Sequence, residues 1–250
     1  MLSFSEQGHG PALVLLHAYP LDHSMWQTQV DVFSERYRVV TPDVFGFGGS
    51  QPPRHWTMAE MGGALLALLD QIQIEKCTLV GLSMGGYISI PFTLAHPDRV
   101  QRMVLAHTRA RADFEAERTL RNGMIAALKK DGTSVLPGKM VPRLLAANAS
   151  EEVRKAVRNS IERASVEASI YAVTAMRDRD DQTANLGRIH CPTLVITGGA
   201  DAIIRVEDSE KMAAAIPAGQ IRVIADAGHL SNLENPEAFN QALDEFLRGA

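Results

Sequence analysis

Three polar residues at the ends of predicted strands are of the types that nucleophilic catalysis requires. Ser83 is the central residue of GLSMG at 81–85, which has the spacing G-x-S-x-G. The motif directly follows the apolar run Thr78–Val80 and precedes a helical pattern, the setting of a nucleophile elbow. Such a turn points the serine hydroxyl outward, and the helix N-terminus adds partial positive charge where an oxyanion forms. We therefore predict that Ser83 is a nucleophile.

A serine hydroxyl needs a general base, and the base needs a carboxylate that orients it. His229 lies in the loop after the predicted strand Ile221–Ile224, and Asp201 lies in the loop after the predicted strand Thr193–Ile196. Active sites of open α/β sheets assemble at these carboxyl ends of parallel strands. We predict His229 as the base and Asp201 as the acid.

Two other aspartates compete with Asp201 for the role of the acid. Asp226 precedes His229 by three residues, which is too close in sequence to orient the ring from behind. Asp208 lies near the start of a predicted helix, where an acidic residue has an ordinary stabilising role. Asp201 is therefore the preferred candidate.

Acyl transfer also needs two hydrogen-bond donors that stabilise the tetrahedral intermediate. The backbone N–H of Met84, directly after the nucleophile, is the first predicted donor. The second is expected in the loop after the predicted strand Leu13–Leu16, where Tyr19 is chosen because Pro20 has no N–H. His17, in the same loop, is expected to make structural hydrogen bonds and is assigned no chemistry.

The elements that must position these residues are short apolar runs separated by longer helical patterns. The predicted strands are Leu13–Leu16, Val39–Val40, Thr78–Val80, Met103–Leu105, Thr193–Ile196 and Ile221–Ile224. The predicted helices that alternate with them are Met61–Ile72, Ser83–Ala95, Asp208–Ile216 and Pro236–Leu247. Near-continuous apolar strands are typical of a parallel sheet that is covered on both faces. The alternation predicts a doubly wound α/β fold.

This alternation is interrupted by a stretch with helical patterns only, at roughly 114–130, 153–164 and 166–177. We predict that residues 108–187 form a helical cap inserted into an α/β core made of residues 1–107 and 188–250. From His107 to Arg188 the chain has 11 Arg and 4 Lys against 11 Asp plus Glu. Such an excess suits a substrate that carries carboxylates, although most of these arginines are expected to be solvated helix surface.

Composition limits the remaining function classes. A net charge of −4 over 250 residues favours neither nucleic acid nor an anionic membrane. No signal peptide or membrane-spanning run is apparent, which predicts a cytoplasmic protein. Cys77 and Cys191 form no CxxC pair, and the glycine-rich loop Asp43–Ser50 lacks the Lys-Ser/Thr of a P-loop. No metal and no cofactor are therefore expected.

By these residues the sequence resembles the α/β-hydrolase superfamily over essentially its whole length. The matching segments are His17–Pro20, Asp43–Ser50, the elbow, Asp201 and His229. Within the superfamily it is most similar to the branch of small esterases, 3-oxoadipate enol-lactonases and cofactor-free haloperoxidases. The resemblance implies a mostly parallel eight-stranded sheet with helices on both faces and a helical cap after the sixth strand. It also implies a Ser–His–Asp triad that acts through an acyl-enzyme.

The sheet order of that superfamily places one strand between the strands of Cys77 and Cys191. Their separation is then two strand spacings, roughly 9–10 Å. A disulfide needs Cα atoms within about 7 Å. Both cysteines are therefore expected to be free thiols.

The predicted function is hydrolysis of carboxylic esters of small or compact substrates, with the cap governing substrate choice. Lactone hydrolysis and perhydrolysis of the haloperoxidase type use the same residues and stay open. A different class is a non-catalytic receptor of the same fold, since fold alone does not decide function. Haloalkane dehalogenases and epoxide hydrolases are disfavoured because those relatives carry an aspartate at the position of Ser83. The expected partner is a small ester or lactone, and no oligomeric state is predicted.

Overall fold

The computed structural model describes residues 2–51 and 55–249, and Met1, residues 52–54 and Ala250 of the predicted core lie outside the described part. Within it, seven strands form one sheet in the order β1-β3-β2-β4-β5-β6-β7. Their bounds are β1 Phe4–Gln7, β2 Ala12–Leu16, β3 Arg38–Pro42, β4 Cys77–Leu82, β5 Val100–Ala106, β6 Thr193–Gly198 and β7 Gly219–Ile224. The pairing of β1 with β3 is antiparallel, and the other pairings are parallel.

The predicted α/β architecture is confirmed, with a correction to the strand count. Each of the six apolar runs coincides with a strand, but the described sheet has seven strands rather than eight. The helical segment consequently follows the fifth strand rather than the sixth. The additional strand β1 was not predicted because its sequence, Phe-Ser-Glu-Gln, lies at the sheet edge and three of its four residues are exposed. An edge strand of this kind has no continuous apolar signal.

Helices cover the sheet. Outside the helical segment their bounds are α1 Gln27–Phe33, α2 Met58–Gln71, α3 Met84–Ala95, α8 Val206–Ala215, α9 Ser231–Glu234 and α10 Pro236–Arg248. Helix α3 lies against β2, β4 and β5, and it also packs against α2. Thr57 and Glu60 form the predicted capping box at the start of α2. Strands β4 and β6 are buried along their whole length, as expected for strands covered on both faces.

Four α-helices lie between β5 and β6: α4 Glu115–Asp131, α5 Val135–Leu144, α6 Glu151–Glu162 and α7 Val166–Arg177. Three of them match the predicted helical patterns. Helix α5 was missed because Pro137, Gly138 and Pro142 interrupt its propensity. Helix α4 packs against α7, and α5 packs against α6. None of the helices in the described part of the chain is long and apolar enough to cross a membrane.

The two cysteines are free, as predicted. Cys77 is the first residue of β4, Cys191 precedes β6, and β5 lies between these strands. Burial raises the pKa of the Cys77 thiol to about 12, so this side chain stays a neutral member of the core.

Candidate active site

Ser83 lies at the sharp turn between β4 and α3 and has φ 54° and ψ −107°. A positive φ is uncommon for a residue with a side chain and is found where the surrounding structure enforces it. Here the Ser83 N–H donates to the carbonyl of Ala106 at 2.8 Å, and its carbonyl accepts from Thr108 Oγ1 at 2.8 Å. Both partners belong to the end of β5 and the residues just after it, so the neighbouring strand holds the elbow in place.

Two glycines allow the backbone to come close at this turn. A Cβ atom at Gly81 would lie 2.5 Å from the backbone of Gly85. At Gly85 a Cβ would lie 2.3 Å from the carbonyl oxygen of Leu16, the last residue of β2. Any larger residue would therefore push the elbow away from β2. The motif's glycines bring Ser83 next to the loop that follows β2.

His229 and Asp201 form a buried pair at the ends of β7 and β6. The Nδ1 atom of His229 lies 2.9 Å from Asp201 Oδ2 and 3.1 Å from Oδ1. The amides of Ile203 and Ile204 donate to Oδ1 at 2.8 and 3.0 Å and so fix the carboxylate. Since a carboxylate only accepts hydrogen bonds, Nδ1 of His229 carries a proton, and Nε2 of the neutral ring is left as a base.

The competing aspartates do not contact the His229 ring in the described structure. Asp226 is exposed and has a positive φ of 56°. Asp208 lies in the first turn of α8, where its carboxylate is 3.4 Å from Arg205 Nη2. Among the three candidates the structure brings only Asp201 to the imidazole.

A second histidine, His107, also binds Asp201 and was missed by the sequence analysis. It is fully buried directly after β5, with Nδ1 2.9 Å from Asp201 Oδ2 and Nε2 2.6 Å from Ser231 Oγ. Burial lowers the pKa of His107 despite the nearby carboxylate. For Asp201, burial favours a higher pKa, but the charge and hydrogen bonds of His229 and His107 hold it well below its usual range. The available signal was the position of His107 at the carboxyl end of a strand.

The nitrogen and oxygen atoms of His107, Asp201 and His229 lie within 4.8 Å of one another, and these residue types can ligate a metal. Their atoms are already engaged with each other, because both Nδ1 atoms face the same carboxylate. A metal ion would have to replace these hydrogen bonds. The arrangement fits a hydrogen-bonded His229–Asp201 pair with an added histidine better than a metal centre.

The two predicted oxyanion donors belong to helix α3 and to the loop after β2. Met84 is the first residue of α3, where a backbone N–H has no acceptor within the helix. Tyr19 lies in the loop after β2, and its buried side chain lines the same cavity as Ser83. His17 holds this loop, since its Nε2 accepts from the amide of Val44 at 2.8 Å. Its role in the structure is the hydrogen-bonding one that the sequence indicates.

Ser83 and His229 line a common cavity of about 120 Å³, here called the Ser83 cavity. Its remaining walls come largely from the residues between β5 and β6. The apolar contributors from this segment are Leu120, Met124, Met140, Leu144, Val173 and Met176. The charged contributors are Arg109, Asp113, Glu117, Arg121 and Arg143.

Glu117 forms ion pairs with two of the arginines near this cavity. Its carboxylate pairs with Arg109, and it accepts from Arg111 Nη1 and Nη2 at 2.5 and 2.7 Å. The hydrogen bonds from Arg111, assisted by the amide of Phe114 and the charge of Arg109, lower the pKa of Glu117 to about 2. Glu117 is therefore ionised at neutral pH and compensates one of the two guanidinium charges.

Asp113, four residues before Glu117, is likewise paired with two arginines. It pairs with Arg121 and, at 2.7 Å, with Arg179 Nη1, and the carboxylate is almost completely buried. Arg143, on α5, is exposed and has no ion-pair partner among the described residues. The arginine cluster, defined as Arg109, Arg111, Arg121, Arg143 and Arg179, therefore sets five cations against two carboxylates. Of this cluster, Arg109, Arg121 and Arg143 line the Ser83 cavity, together with the two carboxylates.

Comparison with known proteins agrees with this site. Residues 11–236 match the alpha/beta hydrolase fold family, so the chain belongs to this family. A 3-oxoadipate enol-lactonase of Acinetobacter baylyi is 30% identical over 246 residues, which cover 96% of this chain and 90% of the relative. A thermophilic esterase from Thermogutta terrifontis has a TM-score of 0.96 and 37% identity, covering 99% of this chain and 93% of the esterase. A bromoperoxidase from Bacillus anthracis follows with a TM-score of 0.89 and 26% identity, covering 99% and 95%. The resemblance to the esterase, enol-lactonase and haloperoxidase branch is thus confirmed.

Proposed function

We propose that this protein is a serine hydrolase of compact carboxylic esters, with Ser83, His229 and Asp201 as its catalytic triad. One observation carries the proposal: the hydrogen-bonded His229–Asp201 pair and the strained Ser83 turn open onto one cavity. The similarity to esterases and to an enol-lactonase supports the same class of reaction.

The proposed reaction uses these residues in the order of an acyl-enzyme mechanism. His229 Nε2 accepts the hydroxyl proton of Ser83 as Oγ attacks the acyl carbonyl carbon. The amides of Tyr19 and Met84 donate to the resulting oxyanion. Collapse of this intermediate expels the alcohol, which takes the proton from His229. Water then attacks the acyl-enzyme with His229 again as base. His229 returns this proton to Ser83 Oγ as the acid leaves, and Asp201 stabilises the transient imidazolium.

The Ser83 cavity favours compact substrates that carry a negative charge. Its volume of about 120 Å³ is below the about 300–1,000 Å³ usual for drug-sized ligands. Arg143 lines it without an internal counter-ion, so a substrate carboxylate would supply the missing partner. Arg109 and Arg121 also line the cavity, and each is paired with a carboxylate. A lactone that bears a carboxylate fits as well as an open-chain ester, since the attacked group is the same.

The helical residues 108–187 are proposed to act as the cap of an α/β core formed by residues 1–107 and 188–250. The support is that α4, α5 and α7 each contribute cavity walls opposite Ser83. A roof of this kind excludes water and strengthens the electrostatic contacts beneath it.

The test compares two esters that differ only at the end of the acyl chain: 4-nitrophenyl butyrate and the mono-4-nitrophenyl ester of succinate. We expect both to be hydrolysed, the anionic one with the higher kcat/KM, and Ser83→Ala to lose about 10⁴-fold or more in kcat. A folded Ser83→Ala protein with near wild-type rates would refute the nucleophile. A preference for the neutral ester would refute the charge preference and leave the triad standing.

Two further outcomes separate the alternative functions. Peroxide-dependent halogenation that exceeds hydrolysis in the presence of a carboxylic acid would assign perhydrolysis. Tight binding of esters without turnover would assign a receptor. Each measurement uses the purified 250-residue chain with Ser83→Ala as its reference.

A further inference from the structure

Asp201 accepts hydrogen bonds from two imidazoles, although a triad requires only one. Oδ2 lies 2.9 Å from Nδ1 of His229 and 2.9 Å from Nδ1 of His107. The two rings meet edge to face, with centroids 5.5 Å apart. His107 is as buried as Asp201 itself, whose side chain has no exposed area, and it lines no part of the Ser83 cavity. It therefore acts on the carboxylate from the side away from the substrate.

The two hydrogen-bond partners of His107 determine which of its ring nitrogens carries the proton. A carboxylate cannot donate, so Nδ1 of His107 must be the donor to Asp201. The remaining nitrogen, Nε2, lies 2.6 Å from the buried hydroxyl of Ser231 at the start of α9. In the neutral ring this nitrogen is an acceptor, so Ser231 Oγ–H donates to it. The chain of donors thus runs from Ser231 through His107 to Asp201.

The backbone holds this ring in one place. His107 has a positive φ of 49°, and its N–H donates to the carbonyl of Ile196 on β6 at 2.8 Å. Of the charged groups near the ring, Asp201 and Glu234 carry negative charge, while His229 contributes a positive charge when protonated. His107 is thus a neutral donor fixed between β5 and β6, directly behind the carboxylate.

We propose that His107 is a positioning residue that sets the orientation and the basicity of Asp201, and through it the strength of His229 as a base. The inference rests on the proposed triad. One N–H donated to Oδ2 disperses negative charge that would otherwise act on His229 alone. Without that donor the carboxylate pulls the His229 proton more strongly, and the base becomes active only at higher pH. The same bond keeps the carboxylate from turning toward another donor.

The test uses two substitutions that tolerate the backbone conformation of His107. Glycine and asparagine both accept a positive φ, but only asparagine carries an N–H near the position of Nδ1. We expect His107→Asn to keep kcat/KM within about threefold of wild type, with the same acidic limb of the pH profile. His107→Gly should lose about tenfold, the effect of one hydrogen bond to a charged group, with that limb displaced to higher pH. Melting temperatures of all variants show whether a loss reflects unfolding.

Three results would overturn the inference. Equal activity losses in the asparagine and glycine variants would show that the N–H does not matter. A glycine variant with a lower melting temperature but an unchanged pH profile would assign His107 a structural role only. In proton NMR of the ¹⁵N-histidine-labelled protein we expect two strongly downfield imidazole N–H signals, of which His107→Asn removes one. A single such signal in the wild type would exclude the double donation.

Failure of the triad is separated from failure of this inference by measuring Ser83→Ala in the same series. If Ser83→Ala is inactive and His107→Asn and His107→Gly have the same kcat/KM and pH profile as each other, the positioning role is wrong and the triad stands. If Ser83→Ala retains activity, the triad is wrong, and the NMR signals still decide whether His107 binds Asp201. The control Ser231→Ala removes the donor to Nε2 alone, and its loss should lie between those of the asparagine and glycine variants.

Discussion

Asp201 and Asp113 are both buried carboxylates, but they lie in two regions that bind a carboxylate with different donors. At the end of the sheet, Asp201 accepts from two amides and two imidazoles. In the helical segment, Asp113 is bound by two guanidiniums, those of Arg121 and Arg179. The donors of Asp201 are amides and imidazoles rather than guanidiniums, so its charge is oriented by hydrogen bonds without a permanent cation beside it. In the proposed reaction this charge stabilises the imidazolium of His229.

The opposite holds in the helical segment, where the positive charges outnumber the negative ones. Asp113 and Glu117 each hold two arginines in place, and Arg109, Arg121 and Arg143 line the Ser83 cavity. Buried ion pairs of this kind add little net stability, but breaking one leaves an uncompensated charge at high cost. Under the proposed function, the negative charge of Asp201 serves catalysis and the arginines of the helical segment serve substrate binding.

The largest effect is expected where the two carboxylates are exchanged for amides. Asp201→Asn should lower kcat by about 10⁴-fold while the protein still folds, because the amide cannot stabilise the imidazolium and favours the wrong tautomer. Asp113→Asn should instead lower the melting temperature by about 5–10 °C and keep turnover of a neutral ester within about tenfold. Circular dichroism melts and steady-state rates on the same preparations check both. A large loss of stability in Asp201→Asn together with a large loss of kcat in Asp113→Asn would contradict the contrast. A larger kinetic loss in Asp226→Asn than in Asp201→Asn would reassign the acid.

Replacing residues 108–187 by the corresponding segment of a related esterase should transfer the preference for acyl length. The segment supplies cavity walls and none of the proposed triad. It also supplies the carbonyl of Leu144, which accepts the His229 amide at 3.0 Å, so a general loss of about tenfold is expected as well. Values of kcat/KM over a series of acyl lengths measure the transfer. A preference that stays with the core would refute it, and a wild-type preference for long-chain triglycerides would refute the compact pocket.

A smaller effect is expected for Arg143→Gln, which removes the cation without an internal partner. The kcat/KM for the succinate monoester should fall about tenfold, while that for the butyrate ester should change little. Arg158→Gln is the matched control, because it removes the same charge from an exposed position on α6 away from the cavity. Added salt should narrow the difference between the two esters in wild type. Equal losses for both esters, or equal losses in the control, would exclude a carboxylate site at Arg143.

The smallest effect concerns stability at low pH. The folded-state pKa of Glu117, about 2, lies below its ordinary value of 4.5, so the ionised form stabilises the fold. This contribution is complete above the ordinary pKa and is lost as the pH falls through about 2. Wild type should therefore melt at a higher temperature than Glu117→Gln above pH 5, with a difference that shrinks toward pH 2. A difference that does not change with pH would show that the charge of Glu117 is not its cause.

The sequence was sufficient for the parts of this site that depend on strand ends. Ser83 and Asp201 follow the wholly buried strands β4 and β6, which are recognisable because both faces are covered, whereas His229 follows the partly exposed strand β7. Strand β1 and helix α5 were not recognisable, since one is exposed at an edge and the other contains two prolines. Contacts between residues that are far apart in the sequence were harder still to predict.

His107 shows why. Its neighbours in sequence say only that it ends a strand, and its partners Asp201 and Ser231 are 94 and 124 residues away. The same holds for the arginine cluster, where sequence counts show an excess but not which side chains face the cavity. Only the packing of α4 against α7 and the position of α5 distinguish cavity arginines from those on the outer surface.

The hydrogen bond between the His229 amide and Leu144 has a consequence for how a substrate reaches Ser83. Glu234 strengthens the same connection, because it accepts from Gly228 next to the histidine and from Ala146 just after α5. A displacement of α5 would therefore also displace His229, the proposed base, relative to Ser83. We expect substrate access that leaves His229 in place to lie on the side of α4 and α7, which pack against each other, rather than at α5.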